Sequence, residues 1–248
     1  MCLIVLALNQ STRYPLVMVA NRDELHERPT AAADYWPQHP GVVGGRDLLR
    51  GGTWLAVDER GRLGAVTNFR DPVPQDRPAS RGELVTDFLA SQESSETFAQ
   101  ALGERQDRYA GFNLVVGQFE RSFQYLSNRD QPRSLGTGVY GISNGMLDND
   151  WPKVARTKAA VQRWLRQGGD DRGGLFDILA DRQVTANAGA DEWARALTAT
   201  FIVNPSYGTR ASACLLFGAD GRAVFEERRF DAAGASTGSS VFEFALKR

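Results

Sequence analysis

The chain has 248 residues, a net charge of −1, and 42% hydrophobic against 24% charged residues. These proportions are ordinary for a soluble globular protein, and a chain of this length can bury a sizeable core as one domain. Nucleic acids and anionic membranes recruit surfaces dense in Lys and Arg, which a net charge near zero does not provide. We therefore expect one domain over residues 1–248, with no nucleic-acid partner.

No apolar run approaches the roughly 20 residues that a membrane span needs. The apolar run at the N-terminus has no positively charged segment before it and ends at Asn9, so a signal peptide is not expected. We expect a cytoplasmic protein whose two cysteines, Cys2 and Cys214, are reduced. With only His26 and His39 as histidines, no zinc site of the usual composition is expected.

Strands dominate the first third of the predicted secondary structure. Aliphatic and β-branched runs predict strands over 2–9 and 16–22, joined by a turn. A second pair is predicted over 53–58 and 63–69, and no element is assigned between the two pairs. The chain therefore begins with hairpins, which favour an antiparallel sheet.

Two helices and three strands are predicted next. Ser80 and Glu83 have the spacing of a capping box, and the apolar residues that follow recur with the helical period. A second helix is predicted around Phe98 and Leu102. The strands that follow are expected over 112–118, 123–127 and 139–143.

The last hundred residues repeat the order of helices followed by strands. The clearest helix is predicted from Asp150, with Pro152 near its first position, and it ends at Gly168-Gly169. Shorter helices are predicted over 175–179 and 191–197, and strands over 201–203, 211–217, 222–230 and 241–246. Alternating blocks of strands and helices predict an α+β fold in which two sheets pack face to face, each covered by helices. That is a four-layer αββα sandwich.

One motif match is rejected. The segment Gly136-Thr137-Gly138-Val139-Tyr140-Gly141 fits G-x-G-x-x-G, the fingerprint of dinucleotide binding. That motif works only where a helix opens on it, because the helix N-terminus holds the pyrophosphate. Pro132 precedes the segment and Gly145 follows it, so we expect no helix and no nucleotide there.

Cys2 follows directly behind Met1. Cysteine is small enough for methionine aminopeptidase to remove Met1, which would leave a thiol and a free α-amine on one residue. The thiolate is the nucleophilic form of cysteine, and a terminal amine can activate a nucleophile within its own residue. The alternative, which position alone favours, is an inert buried cysteine at the start of a strand.

Groups of polar residues end or interrupt several of the apolar strands, where binding and catalytic groups are often found. They are Asn21-Arg22-Asp23-Glu24, Thr67-Asn68-Phe69-Arg70, Ser143-Asn144-Gly145 and Tyr207-Gly208-Thr209-Arg210-Ala211-Ser212. Together with Met1-Cys2 and the Gly51-Gly52-Thr53-Trp54 turn, they make the chain resemble the NRDE-motif family, the homologues of transport and Golgi organisation protein two. The resemblance runs from residue 1 to about residue 215, and the four-residue signature behind an N-terminal cysteine is specific.

This family is similar to the N-terminal-nucleophile hydrolases, nearest to the choloylglycine and penicillin acylases with N-terminal cysteine. The resemblance implies an αββα fold, in agreement with the predicted order of elements. Carried over by residue, it implies that Cys2 is the nucleophile, that its α-amine is the base, and that Asp23 holds the ammonium.

The resemblance also implies roles for two arginines and two asparagines. Arg22 and Arg210 would lie near the thiol and favour its ionised form, as neighbouring cations do. Asn68 or Asn144 would donate a hydrogen bond to the oxyanion of a tetrahedral intermediate.

One departure from the acylases concerns Arg22 and Asp23, which are adjacent here and spaced apart there. Adjacent side chains of an extended strand point to opposite faces, so Asn21 and Asp23 share a face that Arg22 does not. We therefore expect Asp23 to reach Cys2, and Arg22 to do so only if the strand bends at residue 22 or 23.

Two functions follow from the resemblance. The first is an enzyme that cleaves a linear amide or a thioester through an acyl-cysteine, with no cofactor required. The second is a binding protein that carries haem, acyl-CoA or another lipid, because the family is associated with haem trafficking and lipid metabolism. His26 is the better of two weak candidate haem ligands, although a surface histidine is the expected interpretation of it. Trp54 and Tyr207 are candidate walls of an apolar cavity, and the oligomeric state is not predicted.

Overall fold

The computed structural model describes residues 2–73, 77–186 and 191–247. The first of two antiparallel sheets contains the N-terminal strand, next to an edge strand. Its strands are β1 (Cys2–Leu8), β2 (Leu16–Leu25), β10 (Gly138–Ile142), β11 (Tyr207–Phe217), β12 (Arg222–Phe230) and β13 (Ser236–Ala245). Their order in the sheet is β10-β1-β2-β11-β12-β13, so β1 and β2 both have neighbours on each side.

The second antiparallel sheet follows the order of the chain from one edge to the other. Its strands are β3 (Thr30–Trp36), β4 (His39–Asp47), β5 (Leu55–Asp58), β6 (Arg62–Asn68), β7 (Phe112–Gln118), β8 (Phe123–Ser127) and β9 (Arg133–Leu135).

Helices cover the outer face of each sheet. They are α1 (Arg81–Ala90), α2 (Ser95–Gly103), α3 (Pro152–Arg166), α4 (Arg172–Leu179) and α5 (Glu192–Ala196). The first two pack on the second sheet, and α3 and α4 pack on the first sheet. The predicted αββα sandwich is confirmed.

The central strands are apolar on both faces because each face packs against another layer. On β1, Ile4 and Leu6 point between the two sheets, whereas Val5 and Ala7 point toward α3 and α4. A third apolar cluster lies between the second sheet and its helices, with Phe88 among its largest members. Three stacked layers of buried side chains therefore hold the four layers of backbone together.

The local signals for helix ends are accurate. Ser80 is the N-cap of α1 and its backbone N–H donates to Glu83 Oε1 at 3.1 Å, as the capping-box spacing predicts. Pro152 is the first residue of α3, where its missing N–H costs nothing. The rejected glycine motif overlaps β10, which is a strand and not the start of a helix.

Three strands were not predicted, and one predicted strand is wrong. The segments of β3 and β4 carry Ala, Asp, Gly and Pro, which disfavour strands in isolation, so tertiary pairing decides their structure. β9 has only three residues and gives no period to read. Residues 201–203 form no strand, although the Ile202 carbonyl accepts a hydrogen bond from the Thr209 N–H at 2.9 Å.

The topology brings several strand ends together at one end of the sandwich. Cys2 begins β1, and its neighbours β2 and β10 run antiparallel to it, so Arg22 of β2 lies opposite Cys2 and Ile142, the last residue of β10, lies opposite Ile4. Within the described residues, no helix is long and apolar enough to cross a bilayer.

Candidate active site

Cys2 is half-buried at the start of β1, directly opposite Arg22 of β2. Side chains at directly opposite positions lie on the same face of a sheet. That face is the one between the two sheets, since Ile4 on β1 and Ala20 on β2 belong to the core there. Arg22 therefore shares the face of Cys2.

This placement corrects our expectation for Arg22. We expected it to reach the face of Cys2 only if β2 broke its alternation, yet β2 pairs with β1 from Cys2 to Leu8 without a register shift. Side chains along β2 alternate between its two faces as expected. The register between β1 and β2 decides on which of these faces the Cys2 side chain lies. The irregularity lies instead in β11, where Arg210 is the extra residue between Thr209 and Ala211.

Arg22 is a buried cation with an incomplete set of partners. Its guanidinium lies over the Trp54 ring at 4.3 Å, and Nη2 is 3.8 Å from Glu24 Oε2. Nη1 is buried and has no hydrogen-bond partner among the described residues. Burial lowers the pKa of Arg22, and the nearby acidic groups Glu24 and Cys2 only partly oppose that effect.

Asp23 points the other way, toward the helical layer. Its Oδ2 is 3.4 Å from Lys153 Nζ of α3, and its Oδ1 accepts a hydrogen bond from Thr209 Oγ1 at 2.7 Å. Asp23 and Lys153 are 2% and 0% exposed, so the pair is shielded from solvent. Asp23 nevertheless borders the same cavity as Cys2, because it lies at the end of β2 where the sheet opens.

Asn21 shares the face of Asp23 and ties β2 to the segments around it. Its Nδ2 donates to the carbonyl oxygens of Leu179 and Thr200 at 2.9 and 2.8 Å, and its Oδ1 accepts from Ser212 Oγ at 2.6 Å. The signature is thus divided between two faces: Asn21 and Asp23 face the helices, and Arg22 lies between the sheets.

The two candidate oxyanion donors, Asn68 and Asn144, belong to segments that bond to each other, and one of these segments also bonds to Cys2. Ser143 Oγ donates to the Cys2 carbonyl oxygen at 2.6 Å, and Asn144 Nδ2 donates to the Asn68 carbonyl oxygen at 2.8 Å. Asn68 borders the cavity that contains Cys2, whereas Asn144 borders the adjoining one. Asn68 is therefore the better placed of the two to donate to a carbonyl oxygen near the thiol.

Arg210 does not border the cavity that Cys2 borders. As the bulged residue of β11, it turns toward the segment that follows β2, where its Nη1 donates to the carbonyl oxygens of Leu25 and Arg28. It borders a smaller cavity together with Arg22 and Glu227. The geometry gives Arg210 a contact with a neighbouring loop, in place of the expected position near the thiol.

Two adjoining cavities open at this end of the sandwich. The thiol cavity, of about 310 Å³, is bordered by Cys2, Trp54 and Asn68 and by many charged side chains. The aromatic cavity, of about 410 Å³, is bordered by Phe69, Asn144, Trp193, Leu197 and Tyr207. Asn68, Arg81 and Ala110 border both.

Arg81 is the main residue that sequence reasoning missed. It is the first residue of α1, and its Nη1 donates to the Gly111 carbonyl oxygen at 3.1 Å. Burial lowers the pKa of Arg81, and the nearby Cys2 and Glu24 oppose that effect. The capping box at Ser80 predicted the helix, but no sequence signal places its first turn beside the thiol.

Arg28 and Asp47 form a second arginine–carboxylate contact at the cavity wall, with 2.7 Å between Nη2 and Oδ2. The Asp47 carboxyl is partly desolvated, which raises its pKa, but hydrogen bonds from Arg28 and from backbone N–H groups outweigh this and lower it. Arg28 comes from the loop after β2 and Asp47 from the end of β4. The two are far apart in the sequence and form no recognisable motif.

Two glycines bring the turn before β5 against the start of α1. Gly52 has φ +74°, and a Cβ there would lie 2.4 Å from the Gly82 carbonyl carbon. A Cβ on Gly82 would in turn lie 2.9 Å from the Thr53 nitrogen. This close contact between the two segments places Trp54 and Arg81 at the wall of the same cavity.

The remaining cysteine and the candidate haem ligand lie elsewhere. Cys214 is buried in β11, and burial raises the pKa of its thiol. His26 is half-buried and its Nε2 lies 3.1 Å from the Asn204 carbonyl oxygen. In the ranges that the structure describes, no three His, Cys, Asp or Glu side chains are grouped as metal ligands. Met1 lies outside the described residues, so its removal stays a prediction.

Two solved structures share this fold. A variant of conjugated bile acid hydrolase from Clostridium perfringens matches with a TM-score of 0.59 at 9% identity, covering 99% of this chain and 92% of that chain. The Caenorhabditis elegans N-acylethanolamine-hydrolyzing acid amidase ortholog matches with a TM-score of 0.52 at 13% identity, covering 87% and 92%. The αββα sandwich is therefore that of the N-terminal-nucleophile hydrolases.

Sequence comparison gives the family. The Transport and Golgi organization protein 2 homolog of Bos taurus is 33% identical over 238 residues, which cover 87% of this chain and 86% of that protein. The family model described as Transport and Golgi organisation 2 matches residues 1–232. This match spans the cysteine, the four-residue signature and both cavities, and the chain belongs to the Transport and Golgi organisation 2 family.

Proposed function

We propose that the protein is an N-terminal-nucleophile hydrolase in which Cys2 attacks the carbonyl carbon of a linear amide or thioester. The observation that carries the proposal is the position of Cys2, half-buried at the start of β1 and bordering a cavity of about 310 Å³. Arg22 and Arg81 border the same cavity, and cations near a thiol favour its nucleophilic form.

The reaction begins with the thiol proton moving to the α-amine of Cys2, once Met1 has been removed. The sulfur then bonds to the substrate carbonyl carbon, and Asn68 donates to the oxyanion that forms. The tetrahedral intermediate collapses with cleavage of the C–N or C–S bond, and the leaving group takes the proton from the ammonium. Water then attacks the acyl-cysteine, which releases the carboxylic acid and restores the thiol.

Asp23 holds the base in this scheme. Asp23 borders the cavity near the end of β2, and Lys153 and Thr209 hold its carboxylate from the helical side. A carboxylate held in this way stabilises a neighbouring ammonium, which is the form that the amine takes after it has accepted the thiol proton.

The likeness of fold supports this choice of reaction. The two solved structures described above are named for the hydrolysis of a conjugated bile acid and of an N-acylethanolamine. Both names denote cleavage of an acyl derivative, and we carry only that reaction class to this chain.

The test is hydrolysis of acyl amides and acyl thioesters by purified protein, followed by mass spectrometry of the released acid. We expect release by the wild type, none by Cys2→Ala, and wild-type release by the matched variant Cys214→Ala, whose thiol is buried away from the cavities. Equal release by wild type and Cys2→Ala would contradict the proposal.

The second candidate function is a carrier for haem or an acyl compound, bound in the same cavities without cleavage. The aromatic cavity favours it, because Phe69, Trp193 and Tyr207 offer apolar surface to a planar or aliphatic ligand. Titration of Cys2→Ala protein with haem distinguishes the two. A saturable absorbance change, in the absence of hydrolysis by the wild type, would support the carrier.

A further inference from the structure

The walls of the two adjoining cavities differ in chemistry. Five arginines and three carboxylates border the thiol cavity. The arginines are Arg22, Arg28, Arg50, Arg77 and Arg81, and the carboxylates are Asp23, Glu24 and Asp47. The positive charge therefore exceeds the negative charge around the thiol, although the chain as a whole is close to neutral.

The carboxylates of this wall are already engaged. Each has a cation beside it within 4.0 Å: Lys153 for Asp23, Arg28 for Asp47, and both Arg22 and Arg28 for Glu24. A ligand that enters the cavity therefore does not find a free carboxylate among these three.

Among the described residues, no carboxylate oxygen lies within 4.0 Å of the guanidinium of Arg50 or of Arg81, although Glu24 and Asp71 are near Arg81. Arg50 Nη2 donates to the carbonyl oxygens of Arg77 and Pro78 at 3.3 and 3.5 Å, and Arg81 Nη1 donates to that of Gly111. Arg22 adds the buried Nη1 that has no partner. A guanidinium that is charged but unpaired is completed by an anionic oxygen, which accepts strong hydrogen bonds from it.

The first turn of α1 also favours an anion in the thiol cavity. Ser80, Arg81 and Gly82 border the thiol cavity at the N-terminus of this ten-residue helix. The N-terminal end of a helix carries partial positive charge and stabilises a nearby anion. It acts in the same direction as the unpartnered Nη1 of Arg22, a residue that borders the same cavity.

The wall of the aromatic cavity is more apolar, although Arg70, Asp71 and Arg81 also border it. Trp193 and Tyr207 meet edge to face with 5.5 Å between their ring centroids, and Phe69 and Leu197 extend the apolar wall. The ring of Trp193 is 41% exposed, so it can be covered by a ligand at little cost. Asn68, the candidate oxyanion donor, borders both the charged thiol cavity and the more apolar aromatic cavity.

We infer that the site takes an amphiphilic amide or thioester, with an anionic group in the thiol cavity and an apolar chain in the aromatic cavity. The scissile carbonyl lies between them, beside Cys2 and Asn68. The binding part of this inference stands without catalysis, and only the cleavage rests on the proposed function.

The test compares two ligands with the same acyl chain, N-dodecanoylglycine and N-dodecanoylethanolamine, by calorimetry on Cys2→Ala protein, which cannot form an acyl-cysteine. The glycine derivative carries a carboxylate where the ethanolamine derivative carries a neutral hydroxyl. We expect the carboxylate ligand to bind at least about tenfold more tightly, as for one charge-assisted hydrogen bond. N-acetylglycine, which lacks the apolar chain, should bind more weakly than N-dodecanoylglycine.

Further variants in the Cys2→Ala background locate the anion. Arg81→Gln should remove most of the preference for the carboxylate, and Arg50→Gln, an exposed position, should reduce it a few-fold. Arg166→Gln is the matched control, because Arg166 is exposed at the end of α3 and borders neither cavity. Equal binding of the two dodecanoyl ligands, no binding of either, or a preference that survives Arg81→Gln and Arg50→Gln would overturn the inference.

Failure of this inference can be distinguished from failure of the proposed function. Tight binding of the carboxylate ligand to Cys2→Ala, without release of dodecanoic acid by the wild type, would keep the binding site and reject the hydrolase. Hydrolysis of both dodecanoyl ligands at the same rate and affinity would keep the hydrolase and reject the anionic group.

Discussion

The two faces of β2 at its signature end differ in how completely their polar groups are paired. On the helical face, Asn21 and Asp23 bond to neighbours from four other segments. On the cavity face, Arg22 has a long ion pair with Glu24, a stacked tryptophan and an unpartnered Nη1. Buried polar groups that are fully paired stabilise a fold, whereas a buried group that lacks a partner points to a ligand. The helical face of the signature is therefore closed by its own bonds, whereas the cavity face keeps an unpartnered donor.

The difference between the two faces of β2 is tested most strongly at Lys153. Lys153→Met removes the ammonium that pairs with the buried Asp23 carboxylate, and breaking a buried pair costs about 3–5 kcal/mol. We expect the free energy of unfolding in urea to fall by that amount. Lys158→Met on the same helix is the control, because its partner Asp148 is 34% exposed, and it should cost less than about 1 kcal/mol. Equal losses of unfolding free energy in the two variants would contradict a larger contribution from the buried Asp23–Lys153 pair.

Asn21→Ala is the next largest change on the helical face. It leaves the buried carbonyl oxygens of Leu179 and Thr200 without their donor, which costs about 2–4 kcal/mol of unfolding free energy. Glu24→Gln, on the partly exposed side of the signature, should change the same free energy by less than about 1 kcal/mol. If the two variants are equally stable in urea, the division between the faces is wrong.

Arg22→Met should separate stability from reactivity. Replacing a buried, poorly paired cation by an apolar side chain is often neutral, so we expect a change in unfolding free energy below about 1 kcal/mol. Alkylation of Cys2 at pH 7 should nevertheless slow several-fold, because a cation that favours the thiolate has been removed. The rate is read by mass spectrometry of the labelled peptide. A large loss of stability with unchanged alkylation would give Arg22 a structural role.

The Arg28–Asp47 pair predicts a small pH dependence. The pKa of Asp47 is lowered in the folded protein, so the carboxylate stabilises the fold above about pH 4 and this contribution is lost as the pH falls through the lowered pKa. Asp47→Asn should therefore destabilise the protein by no more than about 1 kcal/mol at pH 7, since both side chains are partly exposed. The difference between variant and wild type should shrink toward pH 3. A difference that is the same at both pH values would exclude the ion pair as its cause.

Much of the fold was predictable because its signals are local. The β1–β2 hairpin, the capped start of α1 and the proline at the start of α3 are each encoded within a few residues. The pairing of β3 with β4 was not, because their Ala-rich and Gly-rich segments become strands only by joining a sheet.

The sequence predicts which residues form the site better than it predicts where their side chains lie. Cys2 and Asn68 border one cavity, but the face on which Arg22 lies depends on the register between β1 and β2, which alternation along β2 does not give. Arg81 was missed because its place beside the thiol arises from packing of Gly52 against Gly82.

The most direct test of the central claim is the intact mass and peptide map of soluble protein after brief exposure to an acyl thioester. We predict a chain that lacks Met1 and carries one acyl group on Cys2, with Cys214 unmodified. Quantitative retention of Met1, or an acyl group that is absent from Cys2, would contradict the assignment of Cys2 as an N-terminal nucleophile.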